Sequence, residues 1–177
     1  MMWMPLSSSR SRGARIKAYV DTNIYVYAIL HHPEYWELCA EILRDVEDGV
    51  FEAYGSVLVA VELLGSLSRI DPRVARRAVE AYLSLGMAIL GVDVSVVKLA
   101  SVINEVADVG YDAVHAALMV LNEVPAVITN DLDDWERIRR RFAGIVERLR
   151  EEGFSTSLEG IDVVSPAKYR EWRRLLK

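Results

Sequence analysis

Lys17-Ala18-Tyr19-Val20-Asp21-Thr22-Asn23 is a short apolar, β-prone run that stops at a carboxylate, with two good helix-capping residues behind it. Such a run is expected to form a strand whose end hands an acid to the edge of a sheet, where the next helix begins. In open α/β sheets ligands bind beyond the carboxyl ends of the strands, so Asp21 stands where chemistry is usually placed. Working outward, the chain alternates short strands with helical patterns. This predicts a three-layer α/β/α fold around a central parallel sheet.

Strands are expected over 51–54, 87–92, 125–129 and 160–164. Thr22 or Asn23 is expected to cap a helix ending at Ile29, and Pro33 to open a second one, which Gly49 ends. Residues 56–69 form an apolar helix with Glu62, Ser66 and Arg69 on one face. Pro72 starts the next helix, residues 94–106 return to helical spacing, and Gly110-Tyr111-Asp112 opens a helix of small apolar residues. Asp133-Asp134-Trp135 opens a charged one, and Pro166 a terminal one. Residues 1–15, Ser- and Arg-rich without periodicity, are expected to be a flexible tail before a single domain over 16–177.

Composition narrows the class. With 177 residues, 52% of them hydrophobic, the chain holds one domain's worth of core. Its single cysteine, Cys39, excludes an internal disulfide and favours an intracellular setting. No apolar run approaches a membrane span, and residues 1–6 lack the core of a signal peptide, so a cytoplasmic protein is expected. A net charge of −5 argues against coating nucleic acid by bulk charge. The arginines are nevertheless clustered, at 10–15, 69–77, 137–141 and 170–174. Such runs are usually solvated helix faces; the sharper expectation is a basic rim around an acidic site.

Four acids define that site. Asp21 and Asp131 each follow an apolar strand, where Asp is also a favoured helix cap. Asp112 lies in a first helical turn, where a carboxylate gains from the helix dipole. Glu62 is the one acid in an otherwise apolar segment and, alone, reads equally well as a solvent-facing residue. Together they converge on one sheet edge. Each close pair would repel by about 4 kcal/mol at about 4 Å with an effective dielectric near 20. A cluster of this kind is tolerable only if protonated or neutralised by a cation. Oxygen ligands without a Cys or His constellation favour Mg²⁺ or Mn²⁺ over Zn²⁺. His31, His32 and Cys39 offer no such constellation. A hard divalent cation in turn points to metal-assisted hydrolysis of a phosphodiester.

At this point Val20-Asp21-Thr22-Asn23, Glu62 within 56–68, Gly110-Tyr111-Asp112-Ala113-Val114-His115-Ala116-Ala117 and Ile128-Thr129-Asn130-Asp131 together resemble the PIN-domain ribonucleases, many of them VapC-type toxins of toxin–antitoxin pairs. The resemblance covers residues 17–169. It implies Asp21, Glu62, Asp112 and Asp131 as metal-binding catalytic acids, Asp134 as a fifth acid, and Thr22, Asn23 and Thr129 as supporting residues. It also implies a Mg²⁺- or Mn²⁺-dependent endoribonuclease, usually a homodimer, silenced by an antitoxin that covers the pocket. His115 is not an acid or ligand in that pattern and is expected to be packed or hydrogen-bonded.

Residues 136–158 form a longer charged insertion than compact toxins carry, which leaves open a PIN nuclease of RNA maturation. A catalytically silent PIN-fold binding module is the other alternative, disfavoured by the presence of all four acids. A haloacid-dehalogenase-like phosphatase would need a second Asp where Asn23 stands. A response-regulator receiver would need paired acids after the first strand.

Overall fold

The stretch from Lys17 to Val20 is the middle strand of a five-stranded sheet. The structure is a computed structural model and describes residues 15–176. The tail expected over 1–15 therefore lies, apart from Arg15, outside the described residues. In chain order the elements are β1 (Lys17–Val20), α1 (Thr22–Ile29), α2 (Trp36–Glu47), β2 (Glu52–Ser56), α3 (Val57–Ser68) and α4 (Pro72–Leu83). Then come β3 (Ala88–Leu90), α5 (Val94–Ala107), α6 (Asp112–Leu121), β4 (Ala126–Ile128), α7 (Leu132–Glu151), β5 (Asp162–Val164), a 3-10 turn (Pro166–Lys168) and α8 (Tyr169–Arg174).

All four strand pairs are parallel, in the order β3-β2-β1-β4-β5. Tyr19 lies level with Tyr54 on one side and with Val127 on the other. A parallel sheet needs both faces covered. The sequence supplies this by making Ala18, Tyr19, Val20, Val127 and Ile128 uninterruptedly apolar, and all are fully buried. Right-handed crossovers place α1 to α4 on one face and α5 to α7 on the other. The helices pack accordingly: α1 on α2 and α3, α3 on α4, and α5 on α6 and α7. The strand order reverses between β1 and β4, and that switch point opens a crevice at the carboxyl ends of the two strands.

Local chemistry fixes the element ends. Ser56, Asp71 and Asp93 cap α3, α4 and α5 by accepting from the backbone N–H groups of Val59, Arg73 and Val96. Gly49, at φ +63°, supplies the left-handed residue after α2. A Cβ on Gly55 would collide with the Tyr82 hydroxyl, which bonds both the N–H (2.7 Å) and the carbonyl (2.9 Å) of Ser56.

Two expectations change, and a third gains detail. The cap of α1 is Asp21, not Thr22 or Asn23, because its carboxylate accepts the Thr22 N–H at 2.7 Å. Pro33 opens a turn instead of a helix, since His31 adopts φ +51° and α2 begins only at Trp36. The charged stretch from 136 is not simply a solvated addition. Its first part continues α7 to Glu151, and Trp135, Ile138, Phe142, Ile145 and Leu149 recur at helical spacing and are buried, with the helix packed on α5.

Candidate active site

The crevice is a cleft of about 350 Å³ lined by Asp21, Thr22, Asn23, Val26, Tyr27, Glu62, Ser66, Asp112, His115 and Asp131. β1 delivers Asp21, the segment after β4 delivers Asp131, the first turn of α6 presents Asp112, and α3 leans Glu62 over the edge. All four sequence-derived acids therefore meet in one place.

Asp21 is held most firmly. Only 5% exposed, it accepts the Thr22 N–H on Oδ1, and on Oδ2 the Thr129 hydroxyl (2.6 Å) and the Asn23 amide (2.9 Å). Thr129 also takes the Asp131 N–H at 3.0 Å, while the Asn23 carbonyl oxygen takes the Asn130 N–H at 2.9 Å. Asn23 and Thr129 thus stitch the end of β1 to the segment after β4. Thr22 donates its hydroxyl to Glu62 Oε2.

The acids fall into two groups. Asp21, Glu62 and His115 each place a ligand-type atom within 4.8 Å of the others, and so do Asp112, Asp131 and Asp134. Asp134 belongs with the second trio but does not line the cleft, and Arg137 Nη1 stands 3.3 Å from its carboxylate. Among the described residues no Lys or Arg lines the cleft. Several arginines of the clusters expected to rim the site make contacts elsewhere. Arg73 and Arg76 pair with Asp71 and Glu80. Arg137 and Arg141 donate to the carbonyls of Asp108 and Val106 at the end of α5. Arg170 and Arg173 pair with Glu41 and Asp45.

Without a fixed cation the protonation equilibria move. Burial, and then the charge of Asp21, push Asp112 up to about 7. Burial and the neighbouring Asp134 raise Asp131 as well. Glu62 goes the other way: burial works against its charge, but hydrogen bonds from His115 and Thr22 hold it below the usual carboxylate range. The donor set fits a hard divalent ion, being almost all carboxylate oxygen.

His115 is the residue whose place the sequence left most open. It is 1% exposed and bridges Glu62 to the Tyr19 hydroxyl. Its position one turn past Asp112 was the available signal. Tyr27 and Ser66 complete the wall, and only Ser66 had one, its i, i+4 spacing from Glu62.

The family profile described as the PIN domain matches residues 18–141, and the chain belongs to that family. PIN domains are generally nucleases that use divalent metal ions. Among solved structures, the fold is similar to a chain in the crystal structure of VapBC2 from Rickettsia felis bound to a DNA fragment from their promoter. That match has a TM-score of 0.56 at 15% identity and covers 85% of this chain and 98% of that one. A chain of DNA-bound VapBC from Salmonella typhimurium is similar at TM-score 0.55 and 20% identity, with the same coverage of 85% and 98%. At these identities the likeness is one of fold. No curated protein matches the chain in sequence.

Proposed function

We propose that the chain is a Mg²⁺- or Mn²⁺-dependent endoribonuclease that hydrolyses RNA phosphodiester bonds and serves as the toxin of a toxin–antitoxin pair. The observation that carries this reading is the convergence of Asp21, Glu62, Asp112 and Asp131 on one cleft that, among the described residues, no Lys or Arg lines. Asp21, Asp112 and Asp131 would hold the metal, with Glu62 completing the set and Asp134 at its edge. A bound divalent ion supplies Lewis acidity toward a phosphoryl oxygen and lowers the pKa of a water.

The chain's own groups do the rest. Thr22, Asn23 and Thr129 keep Asp21 aimed by donating to it or to its neighbour. Half-buried acids with raised proton affinity are poised to exchange a proton for a cation at neutral pH. No side-chain nucleophile is required.

The likeness to chains of two VapBC complexes supports an antitoxin as partner. Val57, Val61 and Leu64, 47%, 57% and 50% exposed, form an i, i+4, i+7 stripe on α3, which supports a homodimer. No helix among the described residues is long and apolar enough to cross a membrane, in keeping with the cytoplasmic setting and single domain over 16–177 that we propose.

The test is cleavage of a fluorescent single-stranded RNA. Cutting with Mn²⁺ that stops with EDTA and in Asp112→Asn is expected. Cutting that persists in Asp112→Asn at equal metal would remove the central assignment. Co-expression with the product of a neighbouring short reading frame tests the antitoxin: a stable, inactive complex is expected.

A further inference from the structure

The nuclease reading leaves His115, a buried titratable side chain of the cleft, without a role. His115 lies on the buried face of α6, with Tyr19 at one ring nitrogen and Glu62 at the other. The contacts form a chain. The Val59 N–H can only donate, and it reaches Ser56 Oγ at 3.3 Å. Ser56 Oγ lies 2.6 Å from the Tyr19 hydroxyl, which lies 2.7 Å from His115 Nδ1. His115 Nε2 then lies 3.3 Å from Glu62 Oε1, and an ionised carboxylate can only accept.

The carboxylate end requires a hydrogen on Nε2, whether the ring is neutral or protonated. In the neutral ring Nδ1 accepts from Tyr19, whose oxygen accepts from Ser56; in the protonated ring Nδ1–H donates to Tyr19 and those two bonds reverse. Burial keeps the Tyr19 phenol protonated, well above its ordinary range. On the far side of Glu62, the Thr22 hydroxyl holds the other oxygen. A glutamate has three side-chain torsions to fix, and two anchors on opposite oxygens fix them.

We propose that His115 is a positioning residue: it aims the Glu62 carboxylate into the cleft by donating Nε2–H and does not itself bind the metal. This rests on the nuclease reading and adds a role for a side chain outside the acid set. Asp21, Glu62 and His115 are near enough to share an ion. Ligation would, however, consume the nitrogen that faces Glu62 and release the carboxylate it holds. Outer hydrogen-bond partners of this kind are typically worth about 10–100-fold in metal affinity or activity.

The deciding measurement is a ¹H–¹⁵N spectrum of the histidine rings, titrated with Mg²⁺. The Nε2–H resonance of His115 is expected to persist at saturation and to move in Glu62→Gln. Its disappearance on Mg²⁺ binding would make His115 a ligand and overturn the proposal.

Variants supply the second readout. His115→Leu is expected to lower Mn²⁺ affinity by calorimetry, and kcat on RNA, each by about 10–100-fold with KM little changed. His115→Gln, which restores an N–H near the Nε2 position, recovers most of both. Equal loss in Leu and Gln variants that melt like the parent would also overturn it. If no form of the protein cleaves RNA, the nuclease reading fails, while the spectrum and the calorimetry still decide what His115 does to Glu62.

Discussion

Two groups of acids in this molecule are built on opposite plans. On α2, Asp45 is 4% exposed and meets Arg173 Nε at 2.8 Å and the Tyr169 hydroxyl at 2.7 Å, while Glu41 meets Arg170 at 2.7 Å. Both carboxylates have fixed arginine partners, and the result is mechanical: the C-terminal helix α8 is clasped to α2. In the cleft, Asp21, Glu62, Asp112 and Asp131 share one imidazole and several hydroxyl and amide donors, but, among the described residues, no lysine or arginine. A fixed countercharge stabilises a fold once and for all. A missing one leaves a place for an ion that comes and goes, at a cost in stability while it is away.

The largest effect that would sharpen this contrast is Asp112→Asn. Loss of RNA cleavage on the order of 10²-fold or more is expected, equivalent to about 2.7 kcal/mol in the transition state. In metal-free buffer near neutral pH the same change should raise the melting temperature, because it removes a charge the site cannot neutralise. A variant that loses activity and also melts early would mean that Asp112 is a structural acid like Asp45.

Metal should act on one plan and not on the other. Saturation with Mn²⁺ at about 100 times its dissociation constant stabilises the folded state by about 2.7 kcal/mol if binding is confined to it. That shift in melting is expected to vanish in Asp112→Asn and to survive in Arg173→Met. The latter change strikes the clasp, leaving Asp45 with Tyr169 alone. Removing one partner of a buried pair costs about 3–5 kcal/mol, and the partial exposure of Arg173 brings the expected loss nearer 2 kcal/mol, with cleavage per folded molecule unchanged.

The two plans differ also in how far the sequence announced them. The cleft was legible because its acids sit at positions the backbone dictates: Asp21 and Asp131 close apolar strands, and Asp112 opens a helix. The sheet was legible for the same reason, in the β-branched and aromatic runs that only a doubly covered strand tolerates. The clasp was not. Asp45 and Arg173 are separated by most of the chain, and nothing local marks either as buried. In the 136–158 stretch the many charges hid Ile138, Phe142, Ile145 and Leu149 at helical spacing. The arginine runs were hard to read in the same way. A count of charges cannot tell an arginine facing a phosphate from one bonded to the end of α5. His115 remained open because its meaning depends on Tyr19 and Glu62, residues distant in sequence.

The smallest effect expected is a dependence of metal-free stability on pH, and its sign separates the two plans. Folding raises Asp112 from 3.8 to about 7, so between these values the folded chain holds more protons than the unfolded one and stability falls as pH rises. Asp131 is raised too and acts in the same direction. Burial pulls His115 down, but its bond to Glu62 and the nearby acids outweigh that and raise it, so its contribution is also lost as pH rises through its folded value. Glu62 and Glu41 are lowered, and their contributions disappear only in acid below that window.

In EDTA, the protein is therefore expected to lose about 1–2 kcal/mol between about pH 5 and pH 7.5, a figure already discounted for the partial exposure of Asp112. Asp112→Asn should remove most of the slope and Arg173→Met none of it. Saturating Mn²⁺ should flatten it, since protons and the ion compete for the same oxygens. A slope untouched by Asp112→Asn would place the titrating groups outside the cleft, and the distinction between an acid paired for good and one held for a passing cation would not hold.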